Sequence, residues 1–228
     1  MKPDFWHERW ERGEIGFHQH DFNQHMQTFI DRLEIRPGAQ ILVPLCGKSL
    51  DMLWLAEQGY RVTGIEISEK AVKDFFVENR LGYEPDRKPG LISYRGEYIS
   101  ILCTDFFTVE KTDLPPTDAV YNRASLIALP PEMRPAYAEH LTRLIDAGKR
   151  SLLVTLDYAQ DEMKGPPFSV APGEVHRLFG EQYDMEQLHS EDCLAREPRF
   201  RKKGLTRLDE HVFLLRKTIQ TKSGSGSG

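Results

Sequence analysis

A chain of 228 residues with 39% hydrophobic content and a net charge of −5 can build one substantial core but not two full domains. No stretch approaches the roughly 18 uninterrupted apolar residues that cross a bilayer, and no apolar targeting segment opens the chain, so a cytoplasmic location without a membrane partner is expected. Single-sign runs are short, the basic cluster Arg199, Arg201, Lys202 and Lys203 included, which argues against a nucleic-acid partner.

The three cysteines, Cys46, Cys103 and Cys193, are scattered with no C-x-x-C pair and are expected to be reduced thiols. The Ser-Gly repeat over 223–228 resembles an appended linker. One domain is expected over 1–217, with an N-terminal lid helix segment over about 1–30 and a flexible tail over 218–228.

After the aromatic-rich N-terminal segment, apolar runs alternate with helical patterns. This is the pattern of an α/β fold with helices on both faces of a mostly parallel sheet. Gln40 to Pro44 reads as the first strand, followed by Leu45-Cys46-Gly47-Lys48 and a helix with Leu50, Leu53, Trp54 and Ala56 on one face. Gly59 closes that helix and Arg61 to Glu66 is the second strand. Ser68 then caps a helix carrying Ala71, Val72, Phe75 and Phe76. Further strands are expected at 99–103, 118–122 and 151–157, with a helix over 131–145 between the last two. The runs 184–189 and 211–216 are expected to close the sheet as an antiparallel pair. Gly165-Pro166-Pro167-Phe168 can continue neither helix nor strand and reads as a loop.

A strand, a glycine turn and a helix present backbone N–H groups to a ligand. Gly47-Lys48-Ser49 resembles the end of a phosphate loop, but Leu42 stands where the upstream glycine belongs, so a triphosphate is not expected there. A dinucleotide fingerprint fails too, with one glycine where three are needed. Glu66 ends the second strand about 20 residues after the glycine, where a carboxylate can accept both ribose hydroxyls of an adenosine or can instead be a solvated strand-end acid. This favours S-adenosylmethionine. Asp105, after the third expected strand, can take the adenine amino group beside Phe106 and Phe107, or can instead cap a turn with both rings in the core.

Five spaced segments, Phe5 to Trp10 with Gly16-Phe17-His18, Val43 to Ser49, Gly64 to Ser68, Arg123 to Pro130 and Gly165 to Phe168, together resemble the bacterial branch of the thiopurine S-methyltransferase family. The likeness runs from about residue 5 to residue 217. It implies a class I, Rossmann-like methyltransferase fold with a seven-stranded, mostly parallel sheet whose last strand is antiparallel. Carried over by motif, Trp6, Trp10, Phe17, Leu45, Glu66, Thr104, Asp105 and Arg123 would surround the cofactor S-adenosyl-L-methionine, leaving S-adenosyl-L-homocysteine as product. The resemblance also puts Arg123 and Arg199 near the acceptor, with Phe17 and Asn122 beside them. Pro167 and Phe168, following the fifth strand at the sheet edge, either wall the acceptor pocket or form a rigid turn with one anchoring aromatic. The pattern departs at Asn122, where the family commonly carries aspartate. Loss of that charge is expected to leave the Arg123 guanidinium freer to meet an anionic acceptor.

The expected activity is methyl transfer to a small thiol or thiolate, thiopurine-like or another aromatic or heterocyclic thiol, with selenium or tellurium species or halides as related acceptors. Arg123 is the candidate catalytic group, favouring the thiolate by its charge, or else a structural ion-pair partner. Trp6 and Trp10, four apart, share a helix face and either close over the sulfonium or dock the helix on the core. A non-catalytic cofactor sensor and an oxygen or nitrogen methyltransferase are the competing readings, the latter needing a general base that is not evident. No metal is expected from His18, His20 and His25, which lack a spaced ligand set. The protein is expected to act as a monomer on a small molecule.

Overall fold

The structure is a computed structural model that describes residues 3–14, 19 and 21–219. Its centre is a nine-stranded sheet in the order β3-β4-β5-β2-β1-β6-β7-β9-β8. The strands are β1 (Gln40–Val43), β2 (Arg61–Glu66), β3 (Glu84–Lys88), β4 (Leu91–Arg95), β5 (Ile99–Cys103), β6 (Ala119–Arg123), β7 (Arg150–Asp157), β8 (Tyr183–Asp192) and β9 (Asp209–Lys217). β5, β2, β1, β6 and β7 run parallel, and β9 enters antiparallel between β7 and β8.

These seven strands are the expected set. The other two, β3 and β4, form a hairpin on the outer edge of β5. Their sequences, EPDRK and LISYR, are too polar to read as strands. The two-residue Pro89-Gly90 connection, with Gly90 at φ 78, is the signal that marks the hairpin.

Strand alternation feeds two cores. Ile41, Val43, Val62, Ile101, Tyr121, Leu152 and Val212 enter one face, and Leu42, Ile65, Leu102, Val120, Leu153 and Phe213 enter the other. The first face is covered by α2 (Gln24–Phe29), α3 (Asp51–Glu57) and α4 (Glu69–Glu78), through residues such as Met26, Leu55 and Phe75. On the second, α5 (Arg134–Leu144) and α6 (Pro172–Phe179) insert Tyr137, Leu141, Val175 and Phe179. Ser68 caps α4 by accepting from the Ala71 amide at 3.2 Å, and Gly59 ends the turn after α3 at φ 84. α1 (Pro3–Glu11) lies at the carboxyl ends of the strands, while α7 (Pro198–Lys202) packs Phe200 into a small satellite cluster with Tyr158 and Leu208. No helix among the described residues is long and apolar enough to cross a membrane.

Candidate functional site

A cavity opens at the carboxyl ends of β1, β2 and β6, where an open α/β sheet presents its loops. Its floor is Val43, Leu45, Gly47, Glu66 and Tyr121. Trp6, Trp10 and Gln19 roof it, and Ala124, Ile127, Pro166 and Pro167 form one wall.

Backbone geometry aims the loops. Leu45 after β1 and Ala124 after β6 are held in the left-handed region at φ 48 and φ 64, at a cost of about 1–3 kcal/mol each. Gly47 is also left-handed, and a Cβ there would lie 3.3 Å from the Trp10 ring, so the glycine lets α1 settle on the loop. Gly64 is required for a different reason: a Cβ there would lie 2.6 Å from Cys46 Sγ.

Glu66 joins the two loops. Its Oε2 accepts from the Gly47 amide at 2.9 Å and its Oε1 from the Ser68 amide at 2.8 Å, which leaves each oxygen one further lone-pair direction. At 6% exposure, burial outweighs these hydrogen bonds and pushes the carboxyl up to about 7. Lys48 does not turn toward a phosphate position. Its Nζ pairs with Glu78 of α4 at 2.7 Å, consistent with the missing upstream glycine.

The charged centre of the site is Asp51, the first residue of α3. It is 1% exposed and receives Arg123 Nε at 2.7 Å, the Tyr121 hydroxyl at 3.0 Å and the Asn23 backbone amide at 2.8 Å. Burial is the largest influence and opposes the Arg123 charge, but Asp51, Tyr121 and Glu210 together outweigh it, so the guanidinium is held charged. Its remaining nitrogens donate to Gln19 Oε1 at 2.6 Å and Ser49 Oγ at 3.3 Å, both neutral groups on the cavity. Loss of aspartate at 122 therefore does not free Arg123, because Asp51 supplies the negative charge from another element. Neither Asp51 nor Gln19 was singled out in the sequence. An acid opening the helix after the glycine turn reads there as an ordinary first-turn carboxylate.

Trp6, Trp10, Leu45, Glu66, Arg123 and Pro167 all line this cavity. Asn122 does not: strand alternation turns it to the opposite face from Arg123, where its Oδ1 accepts from Tyr137 of α5 at 3.2 Å. Phe168 also points away, folded back on Gly165, while its amide donates to the Ile127 carbonyl at 2.6 Å and anchors the loop. Arg199, on α7, pairs with Glu197 at 3.0 Å, covers the Phe200 ring and is not part of the lining.

Thr104 and Asp105 lie one strand over from Glu66, whose carbonyl accepts from the Thr104 amide at 3.0 Å. Asp105 caps a short turn by accepting from the Phe107 amide at 3.0 Å, with Phe106 buried, which matches the capping alternative. Burial pushes the Cys46 thiol well up, so it is not a nucleophile. Phe17, His18 and His20 fall outside the described residues.

Comparison with known proteins places this geometry. A family model described as Thiopurine S-methyltransferase (TPMT) matches residues 1–218. The chain is 46% identical over 217 residues to a thiopurine S-methyltransferase of Nitrosospira multiformis, covering 94% of this chain and 98% of that one. It is 47% identical over 216 residues to one from Pseudomonas fluorescens, covering 95% and 99%. Among solved structures, an S-adenosylmethionine-dependent methyltransferase from Anabaena variabilis superposes with a TM-score of 0.63 at 15% identity over 94% of each chain. This last likeness shows the fold.

Proposed function

Because the chain belongs to the thiopurine S-methyltransferase family, we propose that it transfers the methyl group of S-adenosylmethionine to a small thiolate bound beside Arg123. When bound, S-adenosylmethionine supplies a methyl group made electrophilic by its sulfonium. The residues at the strand ends suit this donor. Glu66 keeps one acceptor direction on each oxygen for a ribose hydroxyl, and Trp6 and Trp10 line the cavity, where a cation held over an aromatic face gains about 0.5–2 kcal/mol.

The observation that carries the acceptor side is the orientation of Arg123. Asp51 fixes it through Nε, so among the described residues the edge bearing the two terminal nitrogens is held by neutral Gln19 and Ser49 at the cavity. A positive charge at that position favours the thiolate over the thiol, and the thiol proton leaves to bulk water before the acceptor binds. No histidine occurs among the described lining residues, and the one lining carboxylate, Glu66, is tied to two backbone amides. An acceptor that must lose a proton to an enzyme base is thereby disfavoured. Methyl, nucleophile and leaving sulfur must be collinear and dry. The wall formed by Ile127, Pro166 and Pro167 and the aromatic roof exclude water.

Substrate preference within soft nucleophiles extends by the same logic to selenium or tellurium anions and halides. The test is transfer of labelled methyl from S-adenosylmethionine across a panel of aromatic and heterocyclic thiols. The rate should rise with pH along each acceptor's own thiol ionisation, and Arg123→Lys should lower kcat/KM by roughly tenfold or more through loss of the fixed fork. Cofactor binding without transfer to any thiol, selenol or halide would make the chain a binding module and overturn the reading.

A further inference from the structure

His25 on α2 and His189 and Glu191 on β8 are far apart in the chain, yet their ligand atoms all lie within 4.8 Å of one another. His25 Nε2 is 3.7 Å from Glu191 Oε1, His189 Nε2 is 3.4 Å from the same oxygen, and the two imidazole centroids are 5.1 Å apart. Glu210 of β9 adds a fourth donor, its Oε2 2.9 Å from His25 Nε2. A tetrahedral zinc site with bonds of about 2.0–2.1 Å has ligand-to-ligand edges near 3.4 Å, so two of the three printed edges lie within about 0.3 Å of that value and the third about 0.5 Å below it.

Two features of the sheet point to a cation at this place. Glu191 and Glu210 are directly opposite each other across β8 and β9, an arrangement of like charges that is unfavourable on a sheet; Arg196 answers Glu191 alone, and the hydrogen-bond partner of Glu210 among the described residues is the His25 imidazole. The register of the same strand pair is interrupted between Gln187 and His189, a bulge that re-aims His189 toward His25. Arg196 grips Glu191 through both nitrogens, at 2.5 and 3.1 Å, the outer contact that orients a ligating carboxylate. Phe29 adds an apolar wall beside both imidazoles, and the His25 side chain is only 12% exposed. The neighbouring group of Asp157, Asp209 and His211 differs, because Arg207 already bridges its two acids.

We propose that His25, His189 and Glu191, joined by Glu210, form a site for one divalent transition-metal ion of the zinc class, which ties α2 to the β8–β9 edge of the sheet. Two imidazoles with carboxylates suit zinc, nickel or cobalt better than magnesium. None of these four residues lines the methyl-transfer cavity, although the Glu210 charge is felt by Arg123 and α2 follows Asn23, whose amide reaches Asp51.

The test is equilibrium dialysis of the full chain, stripped with a chelator, against zinc chloride or magnesium chloride, with bound metal counted. About one zinc per chain is expected and no magnesium, and His25→Ala or His189→Ala should each weaken zinc binding by at least about tenfold, whereas exposed His176→Ala should not. Cobalt(II) titration of the unsubstituted chain gives a readout that needs no variant: tetrahedral ligand-field bands without a thiolate charge-transfer band. Stoichiometric binding that survives both substitutions, a thiolate band, or no zinc retained would each overturn the site.

Discussion

The two ends of the parallel strands carry ion pairs of nearly the same length and opposite consequence. At the carboxyl ends, Asp51 and Arg123 meet at 2.7 Å with side chains 1% and 15% exposed. At the amino ends, Arg150 meets Glu34 at 2.6 Å and Lys149 meets Asp118 at 2.8 Å, but Glu34 is 68% exposed. Separation alone does not set the value of a charge pair. Water screens the outer pairs, whereas Asp51 also satisfies a tyrosine hydroxyl and a backbone amide that have been withdrawn from solvent.

Asp51→Ala gives the largest expected effect. It strands a buried guanidinium, a buried hydroxyl and the Asn23 amide, and should cost about 3–5 kcal/mol in urea unfolding along with most of the methyl-transfer rate. A loss below about 1 kcal/mol would place this pair with the exposed ones.

Next is the pH dependence of cofactor affinity through Glu66. Its folded pKa of about 7 lies above the ordinary carboxylate value, so the folded chain holds the proton across the interval between them. A ligand whose hydroxyls donate to the carboxylate binds the ionised form. The dissociation constant measured by calorimetry should be level above pH 7 and should rise by up to about tenfold per unit below it. The same linkage makes this carboxyl's contribution to stability fall, rather than rise, between its unfolded value and pH 7. An affinity flat from pH 5 to 8 would contradict the assignment of Glu66 to the ribose.

The smallest change is expected at the other end of the strands. Glu34→Ala should alter stability by no more than about 1 kcal/mol and leave methyl transfer as it was. A drop comparable to that of Asp51→Ala would remove the distinction between the two ends.

Much of the frame was legible in residue order. The apolar runs of the parallel strands, the Ser68 cap and the closing antiparallel pair all follow local pattern, because burial on both faces demands continuous apolar strands. The β3–β4 hairpin was not legible, since its strands sit at an edge and carry the polar residues an edge tolerates. Within the site, Glu66 was readable from its distance to the glycine turn, whereas Trp6 and Trp10 came from the family resemblance, their helical spacing fitting core docking equally. Asn122 was expected beside Arg123, but strand alternation sends adjacent side chains to opposite faces, and of the two only Arg123 lines the cavity.

Residue order thus sufficed for the α/β class, the family and the carboxylate that ends β2, since each rests on short-range spacing. Folding alone supplied the partners of Arg123 and the meeting of His25 with His189. Those contacts join residues 72 and 164 positions apart, and no local periodicity encodes which distant side chains a sheet will bring together.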